Sequence, residues 1–171
     1  MIFNNLKNSF VSAAAFLILA GTAVPVLAAP VKNIVLVHGA FVDGSGWKPV
    51  YDILVKDGYS VTVVQDPLTS LEEDVAATKR ILDRQQGPCI LVGHSYGGAV
   101  ITEAGADSHV AALVYIAAHA PEEGETEASN GKNFPNASKP LVKTPDGFVF
   151  LDPANFARDF AAGARADAHC G

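Results

Sequence analysis

The stretch that decides the fold runs from Pro88 to Gly98 and reads PCILVGHSYGG. Its first half is a short apolar run with β-branched residues, which is typical of a strand buried on both faces of a sheet. Its second half matches the pattern G-x-S-x-G around Ser95, and the apolar residues beyond it predict a helix. A strand, a sharp turn and a helix with a serine at the apex form a nucleophile elbow. The alternative is an accidental match in an ordinary loop.

The glycines of this motif have a physical reason. The turn forces Ser95 into a strained backbone conformation that leaves its hydroxyl exposed above the edge of the sheet. Gly93 and Gly97 lack the Cβ atoms that would clash where the strand and the helix pass close together. The amino terminus of the helix then offers N–H groups to an oxyanion that develops during a reaction.

The composition predicts one globular domain. The chain has 171 residues, of which 49% are hydrophobic, and a formal net charge of −6. This length supports a sizeable core. The excess of acidic side chains argues against a nucleic-acid partner.

Residues 1–28 are predicted to be a secretory signal peptide. A short polar start with Lys7 precedes an apolar run from Phe10 to Ala20, and small residues close the segment at Ala29. A retained anchor is the alternative, but the run is short for a membrane span. We therefore expect a periplasmic or secreted protein with no stable membrane span after cleavage, and a domain over residues 29–171. Cys89 lies in the predicted central strand, which indicates a buried, inert thiol.

From Val31 onward, strands alternate with helices. A capping box formed by Ser70 and Glu73 opens the second helix. The predicted strands are Ile34–Val37, Tyr59–Gln65, the segment before Ser95, and Val110–Ala117. The predicted helices run from Trp47 to Lys56, from Leu71 to about Gln86, and from the elbow to about Gly105. This order indicates an α/β fold with a parallel sheet and helices on both faces.

Residues 121–171 depart from this alternation and are predicted to be a loop and the start of a cap. The segment up to Gly147 is rich in Pro, Glu, Gly and Asn, which indicates a solvated loop. Residues 148–151 form a candidate short strand. Asp152 and Pro153 then make a good helix start, which places Phe156 and Phe160 on one face. Such a segment is suited to covering the serine.

A second chemical motif, His38-Gly39-Ala40, follows the first predicted strand. In acyl-transfer enzymes one oxyanion donor is the amide after the nucleophile, here Tyr96, and another comes from a loop after an earlier strand. Ala40 is the candidate for that second donor; a structural turn is the alternative. The loop does not fit the dinucleotide pattern G-x-G-x-x-G, and no phosphate-binding loop or zinc-ligand spacing is present. We expect no cofactor and no metal.

The runs VLVHGAFVDGSGW, VTVVQDPLTSLEEDVAATKRIL, LVGHSYGGAVITEAG and ALVYIAA resemble the α/β-hydrolase superfamily. The resemblance is strongest to small bacterial exported members similar to plant methylesterases and hydroxynitrile lyases. It implies a serine hydrolase mechanism on a small carboxylic ester, with Ser95 as the nucleophile and the amides of Ala40 and Tyr96 as oxyanion donors. The superfamily has the chain order Ser, then Asp or Glu, then His.

The sequence departs from that pattern after the cap begins. Superfamily members continue through a helical cap and two further strands, which carry the acid and the histidine. We therefore expect a shortened domain that lacks the last strands, and impaired activity because the acid and the histidine are missing. The sheet edge left open would favour self-association.

Four side chains are expected to line the pocket beside Ser95: His38, Phe41, His94 and His119. His119 follows the strand next to the elbow, so lining the pocket, lying on a surface loop and acting as a makeshift base all remain open. His169 alone follows plausible acids, but no predicted strand holds it.

Three functions are compatible with these residues. The first is ester hydrolysis through Ser95, in impaired form. The second is lyase chemistry of the hydroxynitrile type on the same scaffold. The third is a non-catalytic pocket that binds a small apolar molecule.

Overall fold

A computed structural model describes residues 30–126, 129, 132, 141–160 and 162. Its main sheet has four parallel strands in the order β2-β1-β3-β4. These strands are β1 (Asn33–Val37), β2 (Ser60–Val63), β3 (Cys89–His94) and β4 (Val110–Ile116). The predicted α/β fold with a parallel sheet is confirmed. The predicted signal peptide, Cys170 and His169 lie outside the described residues.

Three helices connect these strands and cover both faces of the sheet, as predicted. They are α1 (Lys48–Lys56), which follows a 3-10 turn at Gly44–Trp47, then α2 (Leu71–Leu82) and α3 (Gly97–Ala104). The helices α2 and α3 pack over one face, where Leu82, Val100 and Ile101 join the core. Trp47 packs on the opposite face, with Leu54 of α1 against the same cluster.

The strand β1 shows why the sheet is buried on both sides. Its side chains alternate between the two faces, so that Ile34 and Leu36 join one core cluster and Val35 and Val37 join the other. All four are buried. A continuous apolar run is therefore required here, because neither face is left to water.

The helix α2 begins at the predicted cap, and its buried face includes polar residues. The hydroxyl of Ser70 accepts the N–H of Glu73 at 3.2 Å, whereas the Glu73 carboxylate accepts the hydroxyl of Thr69 at 3.0 Å instead of reaching back to the Ser70 amide. The helix ends at Leu82, before the predicted boundary. Leu71, at the start of the helix, is 39% exposed, and the fully buried positions include the polar residues Asp74 and Thr78.

The region after β4 contains more structure than the predicted loop and strand. The strands β5 (Leu141–Lys143) and β6 (Val149–Leu151) form an antiparallel hairpin, and β5 falls where a solvated loop was expected. The loop prediction failed there because the pairing partner lies across a turn. The short strand and the helix start are confirmed.

The last described helix, α4 (Pro153–Asp159), lies beside the loop that follows β1. Its cap is as predicted, because the Asp152 carboxylate accepts the N–H of Ala154 at 2.9 Å. The rings of Phe156 and Phe160 lie 5.1 Å apart. Phe160 also contacts the ring of Phe41 edge to face, at 6.5 Å between centroids.

The strand β4 forms one edge of the sheet within the described part of the chain. It pairs with β3, and its residues Val114, Tyr115 and Ile116 are 36–42% exposed. Cys89, at the start of β3, is fully buried, and burial raises the pKa of its thiol, as does the charge of Asp107. The predicted buried thiol is confirmed. No helix among the described residues has the length and apolar character needed to cross a membrane.

Candidate active site

The turn between β3 and α3 holds Ser95 in a strained conformation. Its φ is +53°, in the left-handed region that non-glycine residues rarely adopt. The side chain is partly exposed, and α3 begins two residues later at Gly97. The predicted strand, sharp turn and helix are all present.

Two glycines of the motif lie where backbones approach each other. A Cβ built on Gly93 would lie 2.5 Å from the carbonyl oxygen of Gly97. A Cβ on Gly97 would lie 2.7 Å from the carbonyl oxygen of His38. Real Cβ atoms do not tolerate such distances, so only glycine lets β3, α3 and the end of β1 converge at this point.

The loop after β1 lies against the elbow. A Cβ on Gly39 would lie 3.0 Å from the Cβ of Ser95 and 3.2 Å from Nδ1 of His94. Ala40 follows directly, and both Ala40 and Tyr96 line a cavity of about 590 Å³. The two predicted oxyanion residues thus border one cavity, whereas Ser95, which directly precedes Tyr96, is not among the residues that line it.

The buried side chain of His38 stabilises this loop through hydrogen bonds. The side chain is buried, and its Nε2 accepts the N–H of Asp66 at 3.1 Å. The proton of the neutral ring is therefore on Nδ1, which donates to the carbonyl oxygen of Gly39 at 2.9 Å. His38 connects the end of β2 to the loop that carries Ala40.

The predicted pocket residues are divided between two cavities. Phe41 lines the large cavity with Ala40 and Tyr96. His38 and His94 line a smaller one of about 230 Å³, where the ring of Trp47 lies edge to face with that of His94. Burial lowers the pKa of His94, which favours its neutral form.

His119 contacts the elbow through its backbone. Its N–H donates to the carbonyl oxygen of Ser95 at 3.2 Å, and His119 is exposed. It lines neither of the two cavities described above. Its role as a pocket residue or a base stays a prediction.

The remaining walls of the large cavity come from residues that the sequence did not assign to the site. They are the segment Pro67–Ser70, Asp74 of α2, and the residues Asp146–Val149 around the hairpin turn. The helical spacing places Asp74 on one face with Thr78 and Leu82, and the structure buries all three, but the spacing gives no signal that connects Asp74 to the site.

Asp66, which directly precedes the wall segment Pro67–Ser70, is an unusual acid. Both of its carboxylate oxygens are buried, and no described group hydrogen-bonds them. Burial, and to a lesser extent the charge of Asp74, raises the pKa of Asp66 to about 7. The side chain is therefore largely protonated in mildly acidic solution.

A separate cluster lies at the opposite end of the strands. Asp83, Asp107 and His109 present ligand atoms within 4.8 Å of one another, and His109 Nδ1 lies 2.8 Å from Asp107 Oδ1. The carbonyl oxygen of His109 accepts the N–H of Cys89 at the start of β3. The hydrogen bonds between Asp107 and His109 account for the position of these two residues, and the cluster lies at the end of the sheet away from Ser95.

A parallel sheet with a strained serine between β3 and α3 defines the class of protein. The sequence matches the family described as "Alpha/beta hydrolase family" over residues 34–170, and the chain belongs to that family.

Two curated relatives are similar to this chain. Lipase LipV of Mycobacterium tuberculosis is 30% identical over 146 residues, which cover 79% of this chain and 52% of LipV. A carbendazim hydrolyzing esterase of a Nocardioides species is 34% identical over 155 residues, covering 81% of this chain and 57% of the esterase. The chain therefore spans about half the length of these relatives.

Solved structures agree with this assignment. A variant of PytH, which is named as a pyrethroid hydrolase, superposes with a TM-score of 0.54 at 31% identity, over 68% of this chain and 50% of PytH. Polyneuridine aldehyde esterase gives a TM-score of 0.62 over 75% of this chain and 61% of its own. Its identity of 17% makes this a likeness of fold alone.

Proposed function

We propose that the chain carries the nucleophile and the oxyanion site of an ester hydrolase. The observation that carries the proposal is the position of Ser95. It lies at a strained apex next to Gly39, while Ala40 and Tyr96 line the adjoining cavity. The relatives named as a lipase and an esterase support ester chemistry. The proposed substrate is a small carboxylic ester.

In this mechanism the Ser95 oxygen attacks the ester carbonyl carbon, and the backbone N–H groups of Ala40 and Tyr96 stabilise the resulting oxyanion. Collapse of the tetrahedral intermediate releases the alcohol and leaves an acyl group on Ser95. Water then attacks the acyl group, which releases the acid and regenerates the serine. A base must take the proton from Ser95 in the first attack and return it to the departing alkoxide as alcohol; it must then take a proton from water and return it to Ser95.

Among the described residues, no base is hydrogen-bonded to the hydroxyl of Ser95. Within the described residues, the hydrogen bonds of Ser95 are all made by its backbone groups, with Ile116, Gly98 and His119. A serine without a hydrogen-bonded base remains a poor nucleophile, because loss of a triad member costs orders of magnitude in rate. We therefore propose that this chain reacts with strongly activated reagents and turns over ordinary esters slowly.

Labelling with a fluorophosphonate tests the proposal directly. The expected result is one covalent adduct, located on Ser95 by peptide mass spectrometry and absent from the Ser95→Ala variant. The Ser45→Ala variant removes an exposed serine elsewhere and serves as a matched control that labels normally. Absence of labelling in the folded wild-type chain would overturn the proposal.

Three further assays separate the alternatives. Fast hydrolysis of nitrophenyl acetate that Ser95→Ala abolishes would show that a base is present after all. Cyanide release from a cyanohydrin would indicate lyase chemistry in place of hydrolysis. A small apolar ligand that binds a chain in which Ser95 cannot be labelled would indicate a non-catalytic pocket.

A further inference from the structure

The buried carboxylate of Asp74 joins two walls of the large cavity. Its Oδ2 accepts the hydroxyl of Tyr96 at 2.7 Å, and its Oδ1 accepts the backbone N–H of Leu68 at 2.8 Å. Asp74 has no exposed surface of its own, although it borders the cavity. Both carboxylate oxygens are therefore engaged in holding neighbouring groups.

The first of these neighbours carries a proposed oxyanion donor. Tyr96 follows Ser95 directly and caps α3, and its side chain makes no hydrogen bond to the end of that helix. The side chain instead reaches α2, where its hydroxyl donates to Asp74. The residue is therefore held at its backbone by α3 and at its hydroxyl by α2. This hydrogen bond is short, at 2.7 Å between the two oxygen atoms, so it restricts the ring well.

The second neighbour is a strained loop. Leu68 has a φ of +56°, which is strained for a non-glycine residue and persists only where the surroundings hold it. The hydrogen bond from its N–H to Asp74 is such a restraint. Leu68 lies in the segment Pro67–Ser70, which lines the cavity. One carboxylate thus restrains both this wall and the ring of Tyr96.

We propose that Asp74 is a positioning residue for the oxyanion site, acting through the hydroxyl of Tyr96. This inference rests on the proposed function of Ser95. Asp74 holds the Tyr96 residue so that its backbone N–H is in place before the oxyanion forms. Such preorganisation lowers the barrier without contact between Asp74 and the reacting atoms.

The test compares second-order rate constants for fluorophosphonate labelling of Ser95. Tyr96→Phe removes the hydroxyl and keeps the ring. Asp74→Asn keeps the shape of the side chain but leaves one acceptor oxygen for the two donors, Tyr96 and Leu68. We expect each variant to label about tenfold more slowly, less than the 10²–10³-fold loss seen when an oxyanion donor is removed outright. The effects of the two changes should be less than additive in the double variant, because both act on the link between Asp74 and Tyr96.

Matched controls separate positioning from general destabilisation. Tyr115→Phe removes a different tyrosine hydroxyl, from β4 at the edge of the sheet. That hydroxyl is hydrogen-bonded to the hydroxyl of Thr102 in α3, with 2.8 Å between the oxygen atoms. Asp52→Asn neutralises an exposed aspartate paired with Lys48. Both controls should label at the wild-type rate. Thermal unfolding of every variant is measured alongside, so that loss of fold is distinguished from loss of reactivity.

The outcomes are distinguishable. If the wild-type chain labels on Ser95 and a folded Tyr96→Phe variant labels equally fast, the role of Asp74 is overturned while the proposed function stands. Should Asp74→Asn fail to fold, Tyr96→Phe still decides the question. No labelling of the wild-type chain overturns the proposed function and this inference with it.

Discussion

The backbone N–H of His119 donates a hydrogen bond to the carbonyl oxygen of Ser95, with 3.2 Å between the two atoms. The N–H of Ser95 in turn donates to the carbonyl oxygen of Ile116 at 3.3 Å. These bonds connect the elbow to the end of β4 and the loop that follows it. Ala117, with a φ of +42°, turns the chain between them. The geometry around Ser95 therefore depends on the edge strand as well as on its own motif.

Substitution of Gly98 should destabilise this junction. A Cβ at this position would overlap the carbonyl oxygen of His119 and lie 2.8 Å from the Cβ of Ala118. Because one of these atoms is backbone, Gly98→Ala should lower the free energy of unfolding by about 1–3 kcal/mol. Urea denaturation measures the effect. Gly46→Ala is the control, since its Cβ would meet nothing within 4 Å, and equal stability of the two variants would contradict the prediction.

Substitution of Gly39 should affect reactivity more than stability. Its Cβ would lie 3.0 Å from the Cβ of Ser95, so the serine or the loop carrying Ala40 must shift by a few tenths of an ångström. We expect Gly39→Ala to slow fluorophosphonate labelling about tenfold, since small displacements at a reacting centre are costly. The labelling rate and the unfolding midpoint are measured together. A wild-type labelling rate would show that the loop after β1 does not position the site.

Asp66 should make the stability of the chain depend on pH. Burial raises the pKa of its carboxyl in the folded chain to about 7, from an ordinary value of 3.8. The folded state thus binds the proton more tightly, and the resulting stabilisation is complete below pH 3.8 and is lost as the pH rises towards and through 7. Asp66→Asn stays neutral at every pH, so the difference in stability between variant and wild type should grow in favour of the variant by on the order of 4 kcal/mol between pH 4 and pH 8.

Urea denaturation of both chains across this pH range provides the measurement. A difference that does not change with pH would show that Asp66 titrates at its ordinary value. Asp52→Asn, at an exposed site, should show no comparable trend.

The exposed edge strand should promote association of the chain. Val114 on β4 is 41% exposed, next to the similarly exposed Tyr115 and Ile116. We propose that β4 pairs with the same strand of a second copy, so that sedimentation velocity shows a species larger than the monomer as concentration rises. Val114→Lys should shift the chain towards monomer. Ile53→Lys, at an exposed apolar position on α1, should not, and a wild-type chain that stays monomeric would refute the proposal.

Local chemistry explains what the sequence alone determined. The elbow around Ser95, the cap of α2 at Ser70 and the start of α4 at Asp152 all depend on groups a few residues apart. Hydrogen bonds and steric limits over such short distances leave few alternatives, so these features could be predicted from residue types and spacing. The alternating strands and helices likewise determined a parallel sheet.

Only the tertiary structure decided which residues share the site. In the sequence, Asp74 is simply a polar residue of a predicted helix. In the fold, Tyr96 and Leu68 from two other segments donate hydrogen bonds to its carboxylate. The strand β6 finds its partner β5 only when the chain folds back on itself. Leu71 is exposed because no described element covers it sufficiently. Such contacts join segments far apart in the chain, and hydrophobic periodicity carries no information about which segments meet. The cavity bordered by Ala40, Tyr96 and Asp74 is a product of those long-range contacts.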